Sequence, residues 1–426
     1  MTKKYDVIVA GGGTAGCACA YIAGKLGLNV LLIEKNTYLG GTMTSSLVIP
    51  AMKTSSNAIN TDFFDTLHKN LKIKNGAITY SDGNKGWFNP ELTKIVLEEM
   101  LLDVNVDIKL ESEICEIKKI LSGYNVTIHV NNIICENKEL LIHIDTRYLI
   151  DATGDAKICK KLNFEFLNNN EKFLHQPMNL RFIMSGVNTK EFAQWLMKYD
   201  SDRDVSTSCT ADGYTYLSTA YTWDNDKKWA LKPLFEDAIA NKIVTEEDSN
   251  YFQLFSVAGT SDSIAFNAPR LIYKSLTNTD AYIKARASIY RLSRFCKIYL
   301  PGFKHAHISS IADKLGIRVS NRVKCKYVYT KEDLVSGKKF SNPVVISNYP
   351  IDIHSDKQNG SKLEKVMQEY QLPIESLMVD NNTFVIGRCL SADFEAQAAL
   401  RIIPSCFSMG EGVAKYIAGI INPQNC

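Results

Sequence analysis

Residues 5–43 read YDVIVAGGGTAGCACAYIAGKLGLNVLLIEKNTYLGGTM, and they decide the fold. Tyr5–Ala10 is a short apolar run containing Val7, Ile8 and Val9 with almost no polar alternation, as expected for a central parallel strand buried on both faces. In Gly11-x-Gly13-x-x-Gly16 the first glycine allows a tight turn, the second lets backbone approach a pyrophosphate, and the third lets a helix pack close to the strand. A helix follows, opening on Thr14 and Ala15, and its free N–H groups and dipole would face phosphates, worth about 0.3–1 kcal/mol per charge at exposed sites. The next strand ends in Glu34, where a dinucleotide site needs an acid to accept hydrogen bonds from a ribose. An acid there rather than an arginine favours FAD or NAD over NADP, and Lys35 beside it is a further candidate to touch the cofactor.

The 426 residues suffice for a large core and two interleaved domains. Hydrophobic content of 45% with 22% charged residues describes an ordinary globular protein, and a net charge of +3 is too small to imply nucleic acid or a membrane surface. The eleven cysteines are odd in number and contain no C-x-x-C pair, which argues against a disulfide framework or zinc site and for a reducing compartment. No apolar run reaches the ~18 residues of a membrane span and no signal peptide precedes the first strand, so a cytoplasmic protein is expected.

Further along, Gly40-Gly41-Thr42-Met43 offers a second place for backbone to lie against a cofactor. Asn89-Pro90-Glu91 has the form of a helix start, and residues 107–119, 123–130 and 139–150 read as strands. Asp151-Ala152-Thr153-Gly154-Asp155 then ends a strand in a glycine turn. Residues 164–170 form a polar connector, and a second region follows, in which Trp195, Trp223 and Trp229 are packing residues first. A strand is expected over 324–330, and a helix over 408–421 with Gly410 near its start. The expected division is 1–165 plus 375–426 for a cofactor domain and 166–374 for a substrate domain.

These motifs resemble the glutathione-reductase-type flavoproteins, and the order Gly316-x-Arg318-x-Ser320-x-Arg322, then Ile351-Asp352-x-His354, resembles fumarate-reductase-like FAD-dependent oxidoreductases. Asn321 stands where that family often carries a second arginine. The resemblance implies FAD as cofactor, a Rossmann-like α/β domain with a β-insert, and an interleaved α+β substrate domain. It implies that the Ala152-Thr153-Gly154-Asp155 turn contacts FAD, that Ile114 presents backbone to the adenine, and that Gly387, Arg388, Ser391 and Gly410 border the flavin. Halogenases of similar opening carry W-x-W-x-I-P, and pyridine-nucleotide-disulfide reductases a C-x-x-x-x-C pair and a second glycine fingerprint; this sequence has none of these.

The expected activity is hydride or electron transfer between FAD and a small organic substrate, with a redox partner protein as a further expectation. The alternatives are an electron-transfer subunit or a non-catalytic FAD-binding protein. Arg318, Arg322 and Arg270 are candidates to clamp a carboxylate or stabilise developing charge, and His354 is a candidate to move a proton. Cys389 reads as a buried, inert thiol.

Overall fold

Strand Lys3–Ala10 lies inside a seven-stranded sheet of the computed structural model, which describes residues 3–130, 140–167, 176–219, 229–272, 277–354 and 361–423. Trp223 and the end of the 164–170 connector fall outside them. The strand pairs in parallel with Val30–Ile33 on one side and Leu140–Asp151 on the other. Its unbroken apolar run has a direct cause. Val7 and Val9 point into the main core, whereas Tyr5, Ile8 and Ala10 point into a second core with Leu31, Ile33 and Leu149. Each such aliphatic side chain contributes about 1.5–3 kcal/mol on burial.

Strand Leu140–Asp151 has two partners on its far side. Its first half pairs antiparallel with Gly123–Val130, which continues the hairpin from Ser112–Ile120. Its last three residues pair in parallel with Thr383–Val385, so a segment far along the chain completes the sheet. The expected single strand over 107–119 is two, Asp107–Lys109 and Ser112–Ile120, because Glu111 at φ 47° breaks the run.

Helix Thr14–Lys25 is buried from Thr14 to Ala23. Its small residues are what allow helix Ile403–Ile421 to cross it closely: a Cβ on Gly410 would fall 2.2 Å from the Ala15 carbonyl oxygen. Gly410 is therefore a packing glycine, which corrects its expected place beside the flavin. The helix also begins five residues before the expected Ser408, with Pro404 in its first turn, where proline's fixed φ suits a helix start.

A second sheet of six antiparallel strands, in the order Ser206–Ala211, Tyr214–Thr219, Leu254–Ser256, Ile264–Phe266, Phe182–Ser185 and His307–Ile311, forms the other half. Helix Asn278–Tyr299 opens with a Thr277–Asp280 capping box. Trp229 is stacked on Phe235, and Trp195 lies between Phe192 and Tyr199. The expected strand at 324–330 does not form. Its N–H groups go to separate loop carbonyls, Lys326 to Met378, Tyr327 to Glu375 and Tyr329 to Ser391, and so make no ladder.

Candidate functional site

Two cavities meet at the glycine turn. One, of about 1040 Å³, is lined by Gly11, Glu34, Lys35, Ile114, Asp155 and neighbouring residues; the other, of about 480 Å³, by Thr14, Ala15, Gly154, Arg318, His354 and Gly387 among others. Gly13, Gly41, Thr42, Ala152, Thr153, Ile317 and Arg388 line both. At this neck a Cβ on Gly41 would sit 2.7 Å from the Gly13 Cα, so any side chain there would narrow the passage. Helix Thr14–Lys25 begins at the neck with Gly13 as its cap and no side-chain cap bond, which leaves its first N–H groups available to an anion.

Glu34 is buried at the end of its strand. One carboxylate oxygen accepts from the Gly12 N–H at 2.8 Å and the other from the Asn36 N–H at 2.9 Å, which fixes the acid against the turn. Across the neck Arg388 donates to Asp155 at 2.6 Å, to the Ile317 carbonyl at 3.2 Å and to Ser320 at 3.3 Å. Burial alone would raise the Asp155 carboxyl; the Arg388 guanidinium outweighs it and holds the group below the usual range.

The smaller cavity ends among charged side chains. Arg181, Arg318 and Arg401 line it together with Asp352, His354, Tyr251 and Tyr349. Arg401 donates to the Asp352 carbonyl at 2.9 Å and lies 3.4 Å from its carboxylate. Arg270 stands one layer back, 4.0 Å over the Tyr251 ring, and donates to His354 Nδ1 at 2.9 Å. A guanidinium cannot accept a hydrogen bond, so Nδ1 is the acceptor and the imidazole proton is on Nε2, 3.3 Å from Asp352 Oδ2. Burial and then the Arg318 charge push His354 down to about 3, against the pull of Asp352. Burial opposes ionisation of Asp352, but the His354 contact and the Arg401 and Arg318 charges hold it well below the usual carboxylate range. The expected proton carrier is thus a neutral histidine with both ring nitrogens engaged, which makes it a positioning residue.

This depressed histidine gives stability a pH dependence. Between about 6.5 and about 3 the unfolded chain binds a proton that folded His354 does not, so stability falls as pH is lowered through that window, by up to about 1.4 kcal/mol per unit. Urea unfolding of the holoprotein at about pH 7 and about pH 5 is expected to differ by about 2 kcal/mol from this group, and His354→Gln should remove most of that difference. An unchanged pH difference in the variant would contradict the assignment.

The expected site residues divide cleanly. Gly11, Gly13, Thr14, Ala15, Glu34, Lys35, Gly41, Thr42, Ile114, Ala152, Thr153, Gly154, Asp155, Gly387, Arg388, Arg318 and His354 line one or both cavities. Gly16 and Gly40 shape the turn from behind: a Cβ on Gly16 would lie 1.9 Å from the Gly11 oxygen, and the Gly40 N–H donates to the Gly12 carbonyl. Met43 instead packs into the core near Phe64 and Phe407. Ser391 is fully buried and its hydroxyl accepts from the Cys325 N–H. Arg322 is buried with a bond to the Ala392 carbonyl; both tie adjoining loops together, which corrects their expected roles. Cys389 is buried, and burial raises its thiol well above the ordinary value. Arg181, Arg401 and Tyr349 were not expected; an arginine inside an otherwise apolar segment, as at 180–184, is the signal that could have found Arg181.

Comparison with known proteins bears on this geometry. The profile of a family described as FAD dependent oxidoreductase matches residues 6–423. A ferredoxin–NADP reductase of Malacoplasma penetrans is 28% identical over 223 residues, 40% of this chain and 68% of that protein. Digeranylgeranylglycerophospholipid reductase 2 of Methanothermobacter thermautotrophicus is 57% identical over 37 residues, 9% of this chain and 10% of its own. Among solved structures, p-nitrophenol 4-monooxygenase of Pseudomonas putida is 10% identical with a TM-score of 0.49, covering 99% of this chain and 81% of that one. A geranylgeranyl bacteriochlorophyll reductase-like protein of Thermoplasma acidophilum is 12% identical with a TM-score of 0.46, covering 100% and 80%. Among the described residues no helix is long and apolar enough to cross a membrane.

Proposed function

Because the chain belongs to the FAD dependent oxidoreductase family, and is an enzyme that uses FAD, we propose that it dehydrogenates or reduces a small organic molecule in the smaller cavity, at a carbon beside an activating group. The observation that carries this reading is the glycine neck, which joins a chamber suited to a nucleotide to a second chamber ending in charged side chains. FAD, when bound, supplies the hydride or electron chemistry. Glu34 would hold the ribose, and the helix start after Gly13 together with Arg388 would meet the diphosphate. The passage left open between Gly13 and Gly41 fits an extended dinucleotide, since a side chain on Gly41 would narrow it.

In this reading Arg318 orients the substrate and Val48, Ile49, Ile402 and Ile403 exclude water from it. Tyr349 carries the proton at Oη: its hydroxyl makes no hydrogen bond among the described residues, and burial beside Asp352 raises it, so it stays protonated at neutral pH. His354 keeps Asp352 and Arg270 in place. A cytoplasmic location belongs to the same proposal, supported by eleven cysteines without a C-x-x-C pair.

Anaerobic mixing of the holoprotein with a panel of small alcohols, amines, acids and enones is the test. A substrate should bleach the flavin, or reoxidise it after chemical reduction; Arg318→Ala should slow that step at least about tenfold with FAD retained. No response to any member of the panel counts against the reading.

A further inference from the structure

We propose that the smaller cavity selects an organic carboxylate with an apolar body, its head on Arg181, Arg318 and Arg401 and its body along Val48–Pro50 towards Met52 and Leu363. This rests on the reading of that cavity as the substrate site and names the substrate's class.

The head group follows from charge. Four guanidiniums line the cavity, Arg388 held by Asp155 and the other three at the charged end, and among the described residues the carboxylates lining it are the partly buried Asp352 and Asp204 at the exposed rim. Arg181 is partly buried, its terminal nitrogen 3.4 Å and 3.3 Å from the Leu47 and Ile49 carbonyls, and its buried Nε has no hydrogen-bond partner among the described residues. Arg401 Nε and Asp352 Oδ1 lack partners as well among the described residues, while Arg318 donates to the Pro177 carbonyl. Cations withdrawn in part from water and answered mainly by carbonyls are costly until an anion joins them, and the planar fork of a guanidinium matches a carboxylate. Burial and the neighbouring guanidiniums depress Arg318 to about 9, in keeping with a surplus of positive charge.

The body follows from the walls. The carbonyls that hold Arg181 belong to the loop whose Val48, Ile49 and Pro50 line the cavity, so an apolar surface begins directly beside the guanidinium. It continues to Met52 and Leu363, which are 39% and 43% exposed at the mouth. No second cationic cluster lines this cavity among the described residues, apart from Arg388, which is paired with Asp155. A second carboxylate on the ligand would therefore lie against apolar side chains.

Titration of the FAD-loaded protein with benzoate, hexanoate, succinate, benzamide and sulfate, followed by flavin difference spectra and thermal shift, tests this without turnover. Benzoate and hexanoate are expected to saturate at least about tenfold more tightly than the other three, and Arg181→Gln to weaken them at least about tenfold. Arg181→Lys should restore part of the affinity. If Arg181→Gln loses FAD or its fold by circular dichroism, Arg401→Gln bears the same expectation. Equal binding of benzamide, equal or tighter binding of succinate or sulfate, no binding of any carboxylate, or unchanged affinity in the arginine variants would each overturn the proposal. The redox reading stands or falls separately, on flavin bleaching or reoxidation by the substrate panel.

Discussion

Gly11→Ala is expected to give a protein that purifies without its yellow colour. Gly11 sits at φ +105°, and a Cβ built there lies 2.5 Å from the Ala152 carbonyl oxygen and 2.7 Å from its carbon. Neither contact is with a flexible side chain. The Ala152 N–H is bonded to the Ala10 carbonyl, so the two segments cannot part without breaking the sheet end that forms the neck. Backbone strain and the clash together cost about 3 kcal/mol or more. Gly27→Ala is the matching control: φ is +81° there and no described residue lies within 4 Å of the added carbon, so a loss of about 1–2 kcal/mol with FAD retained is expected. Flavin absorbance per protein and urea midpoints measure both. If the Gly11 variant keeps full flavin content, the neck has been wrongly identified as the cofactor's passage.

Asp151→Ala should have the next largest effect, although no ligand need touch it. Its carboxylate is fully buried at the end of strand Leu140–Asp151, accepting from the Thr153 N–H at 3.1 Å, the Thr153 hydroxyl at 2.7 Å and the Cys159 N–H at 2.9 Å. Burial raises this carboxyl, and those donors partly offset the rise. Alanine would leave at least two buried donors unsatisfied at about 1–3 kcal/mol each, so a loss of about 3 kcal/mol or more is expected. The Thr153–Gly154 turn would lose its anchor and FAD content should fall. Asp151→Asn keeps one good acceptor and should lose about half as much. A urea midpoint for Asp151→Ala equal to that of the wild type would show that the turn is held by something else.

The features legible in the sequence are those whose physics is local. A turn needing positive φ and a helix needing small residues leave their mark within a few positions, so the first forty residues could be read almost residue by residue. Arg318 and His354 were visible because they stand in short motifs. Arg181 and Arg401 were not, because their importance comes from the convergence of two distant segments on one cavity. Gly410 misled for a related reason: a glycine can serve a ligand or a neighbouring helix, and only the distance to Ala15 distinguishes them. Ser391 and Arg322 look like site residues in one dimension, yet their polar atoms satisfy loop backbone.

The crossing of helices Thr14–Lys25 and Ile403–Ile421 has a consequence for biosynthesis. A growing chain emits the first of these early, but the surface that covers it is made only after residue 400, and strand Thr383–Val385 reaches its place beside Leu140–Asp151 almost as late. Until then the small apolar face around Ala15 and Cys19 lacks its partner, and the edge of a parallel strand is open to other chains. The cofactor cleft is thus among the last parts of the molecule to be completed, and the nascent polypeptide must be kept from aggregating before FAD has a finished site to enter.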